Sequence, residues 1–96
     1  MKAVDIKRMV NNYYHIDTDL PTRCYEVARP RQIVMYLCRE YTSLSLPQIS
    51  RLFPNMRGEH TTVMNACYRV KRLIGENPVI AKDILALVKI IENNAK

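Results

Sequence analysis

Apolar residues recur along this chain three and four positions apart, with polar residues between them, which is the spacing of one buried face on a helix. Ala3, Ile6, Val10 and Tyr13, with Met9 beside them, predict a first helix over 3–14. Ile33, Leu37, Tyr41 and Leu44, flanked by Val34, predict a second that starts at Pro30 and runs to about Thr42. Proline suits a first helical position, where its missing N–H has no partner in any case. Leu46, Ile49, Leu52 and Phe53 mark a short third helix, ended by Pro54. Val63, Ala66, Cys67, Val70 and Ile74 stripe a fourth, from Glu59 to about Ile74, which Gly75 is expected to close. Ile80, Ile84, Leu87 and Ile91 stripe a fifth, begun by Asn77 as cap and Pro78 as first residue.

The segments between these stripes carry their own signals. Residues 15–29 hold Pro21 and scattered polar groups and read as a basic connection with at most a turn of helix. Ser45-Leu46-Pro47-Gln48 has the form of a capping box, in which the Ser45 hydroxyl accepts from the Gln48 backbone and the Gln48 side chain reaches back to Ser45. Residues 54–58 read as a turn, with Gly58 free to take a positive φ. A short helix, a turn and a longer helix make a helix-turn-helix over about 45–74, within an all-α fold and a single domain spanning 1–96.

Charge sharpens this picture. The 96 residues carry a net charge of +6, and 48% of them are hydrophobic, enough for one small core. Between Arg23 and Arg72 lie eight arginines and one lysine against three acids, so this window holds the whole excess and the flanks are balanced. Arginine is suited to phosphates and base edges because its planar fork donates two hydrogen bonds at once. The fourth helix opens Glu59-His60-Thr61-Thr62, small polar residues where a recognition helix meets the major groove. Its unpaired backbone N–H groups and dipole favour a phosphate there. Outward on the same helix lie Asn65, Tyr68, Arg69 and Arg72.

Other chemistry finds little footing. Cys24, Cys38 and Cys67 are odd in number and lack CxxC spacing, which fits a reduced cytoplasmic compartment. With His15 and His60 they form no pair at metal-ligand spacing, so no metal, no cofactor and no enzymatic activity are expected. The start MKAVDIKRMV has no long apolar run, so no signal peptide is expected, and no stretch of about 18 apolar residues predicts a membrane span.

Three blocks now converge: Val27-Ala28-Arg29-Pro30-Arg31-Gln32, then Ser45-Leu46-Pro47-Gln48-Ile49, then Glu59-His60-Thr61-Thr62-Val63-Met64. In order and in near-correct spacing they resemble the C-terminal domain of the bacterial replication initiator family DnaA, whose pattern is V-A-R-P-R-Q, S-L-P-x-I, D-H-T-T-V-L-H-A. The resemblance covers essentially the whole chain. It implies a Trp-repressor-like helix-turn-helix that binds a short AT-rich duplex element. A role in replication initiation or its regulation is expected, with a monomer on DNA, in the cytoplasm on the nucleoid. By position it implies that Arg23 enters the minor groove and that Glu59, His60 and Thr61 read the major groove, with Asn65 beside them. It places Arg31, Gln32, Arg39, Ser45, Pro47 and Thr62 near the phosphate backbone, and Arg29 and Arg69 are expected to contact that backbone as well.

Departures from the family pattern bear on the target sequence. Glu59 stands in place of Asp, Asn65 in place of His, and the 54–58 turn is about two residues longer than usual. With Gly58 and Gly75 as its two glycines, the chain cannot form the G-x-x-x-x-G-K-[ST] phosphate loop of the family's ATPase domain, so an excised domain or a free-standing small protein of a bacterium, phage or plasmid is expected. The competing reading is a small protein-interaction or transcription-regulatory module that docks on a replication or transcription protein through Tyr25, Tyr36 or Tyr68.

Overall fold

The computed structural model describes residues 1–56 and 58–94. Arg57, part of the predicted turn and of the basic window, lies outside the described residues, as do residues 95 and 96 at the end of the expected domain. The described residues form five α-helices and no strand: α1 (Ala3–Tyr14), α2 (Tyr25–Tyr41), α3 (Leu46–Ser50), α4 (His60–Glu76) and α5 (Pro78–Asn94). The all-α class with a helix-turn-helix is as expected. Helices α2 and α4 form the central pair; α1 lies on α2, α3 on α4, and α5 closes against α4 and α1. Ile6, Val10, Ile33, Val34, Leu37, Ile49, Val63, Val70 and Leu87 are buried between them. Each such side chain contributes about 1.5–3 kcal/mol by leaving water.

Two helix starts follow their local chemistry. The Ser45 hydroxyl accepts from the Gln48 backbone N–H at 3.3 Å, and the Gln48 side-chain oxygen accepts from Ser45 N–H at 2.8 Å. The Asn77 carbonyl oxygen Oδ1 accepts from Val79 and Ile80 N–H at 3.0 and 3.3 Å, with Pro78 as first residue of α5.

Three local expectations need correction. Helix α2 begins at Tyr25, not at Pro30, so the connection shortens to 15–24. Pro30 sits buried in the second turn, where it cannot donate to the Glu26 carbonyl. The turn before it persists because the Cys24 carbonyl accepts from Val27 and Ala28 N–H at 3.0 and 2.8 Å and because Val27 is buried. Tertiary burial here overrides the extended preference of a residue before proline.

Helix α4 also passes through Gly75 and ends at Glu76. Asn77 N–H donates to the Leu73 carbonyl at 2.7 Å while its side chain starts α5, so one asparagine serves both helix ends and no glycine turn is required. Tyr13 and Tyr41, placed on inward stripes by spacing alone, are exposed, and Leu44 and Ile74 are half-buried. Tyr14 packs on the core instead. Both tyrosine hydroxyls donate to the Asp83 carboxylate of α5 at 2.8 Å, with their rings edge-on 4.9 Å apart. Burial, then the Asp83 carboxylate, raises the Tyr14 phenol well above its ordinary value; for Tyr13 the Asp83 hydrogen bond is the larger cause.

Candidate nucleic-acid interface

The start of α4 is placed by one hydroxyl. Ser50, the last residue of α3, is fully buried, and its Oγ accepts from the backbone N–H groups of Gly58 and Glu59 at 3.1 and 3.0 Å. Gly58 holds φ 82°, and a Cβ there would meet the Arg51 guanidinium at 3.3 Å. The far end of the turn is thus stitched to the end of the preceding helix. Sequence reasoning passed over Ser50. Its signal was a lone serine in register with Leu46, Ile49 and Phe53 on the inward side of α3.

The two helices of the motif differ at their amino ends. Helix α3 has a complete capping box, whereas Glu59, at the cap position of α4, makes no side-chain cap hydrogen bond. Among the described residues the leading N–H groups of α4 therefore meet no capping side chain, at the positive end of the helix dipole. Glu59, His60, Thr61 and Thr62 are all exposed around them. Asn65 and Arg69 follow Thr62 on the same face, one and two turns further along.

The connection before α2 is built just as closely. Thr18 is fully buried, and the Asn11 carbonyl oxygen Oδ1 accepts from its backbone N–H at 3.2 Å and its hydroxyl at 2.7 Å. Lys7 Nζ pairs with Asp19 at 2.6 Å, donates to the Leu52 carbonyl at 2.7 Å, and lies 5.3 Å from the centre of the Phe53 ring. One lysine of α1 therefore joins the connection to the end of the α3 region. Arg31 reaches back from α2: Nε donates to the Thr18 carbonyl at 3.0 Å, and Nη2 donates to the carbonyls of Leu20 and of Thr22, the latter at 3.3 Å. Arg23 follows this turn and is exposed.

These two assemblies face each other across a groove of about 600 Å³. Residues of the connection, with Ala28, Arg31 and Gln32 of α2, form one wall; Glu59 and, from α4, Thr62, Asn65 and Arg69 form the other. The buried side chains Met35 and Phe53 close its base. The structure thus brings Arg23, Gln32, Glu59, Thr62, Asn65 and Arg69 together, with exposed His60 and Thr61 at the adjoining helix start. Arg31 belongs to the wall, with Nε and Nη2 of its fork directed back at carbonyls of the connection. Arg29 is half-buried: Nη1 donates to Gln32 at 3.0 Å, and its guanidinium lies 5.1 Å from the centre of the Tyr25 ring. Ser45 and Arg39 are exposed and Pro47 is half-buried, all outside the groove.

Two of the three cysteines are shielded from solvent. Cys38 and Cys67 are buried free thiols, and burial pushes the Cys38 thiol up to about 12 and raises that of Cys67 as well. Among the described residues no group of three or more His, Cys, Asp or Glu is placed to hold a metal ion. No described helix is long and apolar enough to cross a membrane.

Comparison with known proteins bears on the helix-turn-helix fold. A family model described as bacterial dnaA protein helix-turn-helix matches residues 3–70. The chain is similar to the chromosomal replication initiator protein DnaA of Ruegeria pomeroyi, 42% identical over 91 residues, covering 92% of this chain and 19% of that protein. It is 41% identical over 91 residues to the protein of that name from Gluconobacter oxydans, with the same coverage. With that of Buchnera aphidicola it shares 40% over 92 residues, 93% of this chain and 20% of the relative. The chain spans about a fifth of the length of these relatives.

Proposed function

This chain belongs to the bacterial DnaA helix-turn-helix family, a family of DNA-binding domains, and from that premise we propose that it binds a short AT-rich element of duplex DNA resembling a DnaA box. It does so in replication initiation or its regulation, as one domain and one copy per element, in the cytoplasm on the nucleoid. The observation that carries this reading is the shared groove: the exposed amino end of α4 and the arm bearing Arg23 form opposite walls of one concave surface.

In this arrangement α4 enters the major groove by its first turn. Glu59 accepts from a cytosine amino group, the Thr61 methyl packs on a thymine methyl, and His60 and Asn65 meet neighbouring base edges. The uncapped N–H groups of α4 face a phosphate. Arg23 enters the adjoining minor groove, where a narrow AT-rich stretch concentrates negative potential. Arg29, Gln32, Arg39, Ser45, Pro47, Thr62 and Arg69 sit along the backbone and set register. Tyr25, a candidate protein anchor by sequence, is 61% exposed but has Arg29 over its ring, which places it beside the basic face.

The test is a competition between a labelled duplex carrying the DnaA-type element and a scrambled duplex of the same length. The expected outcome is a clear preference for the element, lost when Arg23→Glu and His60→Ala are combined. Equal affinity of the unaltered chain for both duplexes would leave only non-specific binding and refute the reading.

A further inference from the structure

We propose that Arg31 is a positioning residue for DNA reading: its guanidinium gathers the carbonyls of Thr18, Leu20 and Thr22 and so presents Arg23 to the minor groove. This rests on the duplex-binding reading above. Two of its nitrogens serve three carbonyls within five residues of chain, so the turn is wrapped around one side chain from α2. Arg23 is the next residue after the last of these carbonyls. The near end of the turn is held independently, by buried Thr18 on Asn11 and by Asp19 on Lys7. The far end, Leu20 to Arg23, relies on Arg31 together with short-range bonds: Leu20 N–H to the Asp17 carbonyl at 3.2 Å, Thr22 N–H to the Leu20 carbonyl at 2.9 Å and Cys24 N–H to the Thr22 hydroxyl at 3.1 Å.

The family resemblance assigns Arg31 to the phosphate backbone, and the two roles differ in what they demand of the side chain. A phosphate contact needs a positive charge within reach, which lysine also supplies. The carbonyl clamp needs a planar fork with several fixed donors, which the single ammonium of lysine does not reproduce. With Nε and Nη2 committed to three carbonyls, only Nη1 is left for a phosphate, and a phosphate contact that claimed the whole fork would release the arm that carries Arg23.

The experiment uses the 96-residue chain with Arg31→Lys, Arg31→Gln, Arg23→Ala and the Arg31→Lys/Arg23→Ala pair. Binding to the AT-rich element and to a GC-rich duplex of equal length is measured over a salt series. Amide hydrogen exchange from Asp19 to Arg23 is measured without DNA, and melting curves confirm that each variant folds. The clamp predicts that Arg31→Lys weakens the AT-rich complex on the order of tenfold, as Arg23→Ala does, with little change on the GC-rich duplex. It predicts that the pair is no worse than either single variant, that the salt slope holds, and that exchange in the arm accelerates.

A phosphate role predicts the opposite: Arg31→Lys close to the parent, and Arg31→Gln weakening both duplexes equally with a slope shallower by about one. That pattern, additivity with Arg23→Ala, or unchanged exchange in the arm would overturn the clamp. If Arg23→Ala left AT-rich affinity intact, the minor-groove reading itself would fall and take with it the service of Arg31 to DNA. Faster exchange in Arg31→Lys would then report an arm clamp without that use.

Discussion

Ser50 has no exposed surface, and its one hydroxyl serves two backbone N–H groups at the threshold of α4. Replacing it by alanine leaves both donors without that acceptor in a half-buried setting, at a cost of about 1–3 kcal/mol. Ser50→Ala is therefore expected to lower the urea midpoint and, because Glu59 is released, to reduce discrimination between correct and altered major-groove bases. A variant with a lowered midpoint and intact discrimination would show that Ser50 supports the fold alone. The cysteines give a second residue-scale expectation. Cys24 is exposed, whereas Cys38 and Cys67 are buried and held protonated at neutral pH. A thiol alkylating reagent at pH 7.5 should add one label to the folded chain and three after denaturation, read by mass spectrometry.

At the scale of the helices, the two glycines make opposite predictions. Gly75 lies inside α4 with open space around a would-be Cβ and no positive φ, so Gly75→Ala should raise stability by about 0.5–1 kcal/mol. Gly58 holds a positive φ against the Arg51 guanidinium, so Gly58→Ala should destabilise by about 1 kcal/mol or more. Thermal melts of the two variants moving in the same direction would contradict this backbone assignment. The same contrast explains what could be read in advance. Stripes such as Ile80-Ile84-Leu87-Ile91 and the Ser45/Gln48 and Asn77-Pro78 starts depend on near neighbours, so periodicity and capping rules suffice. The start of α2 depends on the burial of Val27, and the end of α4 on an asparagine shared with α5; Pro30 and Gly75 point elsewhere as long as neighbours in space are unknown. In the candidate site, Arg23 and the Glu59–Thr61 turn were visible from charge and family pattern. The bonds of Arg31 to the connection and the role of Ser50 were not, because both are hydrogen bonds to backbone across gaps of eight to thirteen residues.

For the molecule as a whole, the relevant quantity is how the basic excess meets a polyanion. If four to six phosphates are neutralised, log affinity should fall with log salt at a slope of about −4 to −5 on element and scrambled DNA alike. The difference between the two duplexes should shrink only in the part that Arg23 supplies and otherwise persist across the series, since the contacts of Thr61 and Asn65 to base edges release no counterions. A difference that vanished at high salt would make the preference electrostatic in origin. Thr61→Ala should alter the difference and not the slope, by about 1–3 kcal/mol at a single base position.

The turn hung from Arg31 has a calorimetric consequence. Many basic arms are limp in isolation and stiffen only on their target, which adds the heat-capacity decrement of a folding segment to that of docking. Here the strap from Thr18 to Thr22 is already moored when the chain is alone. Titration of duplex into protein at several temperatures should therefore return a heat-capacity change fitting rigid-body association, and Arg31→Lys should make it more negative as the slackened strap tightens on contact.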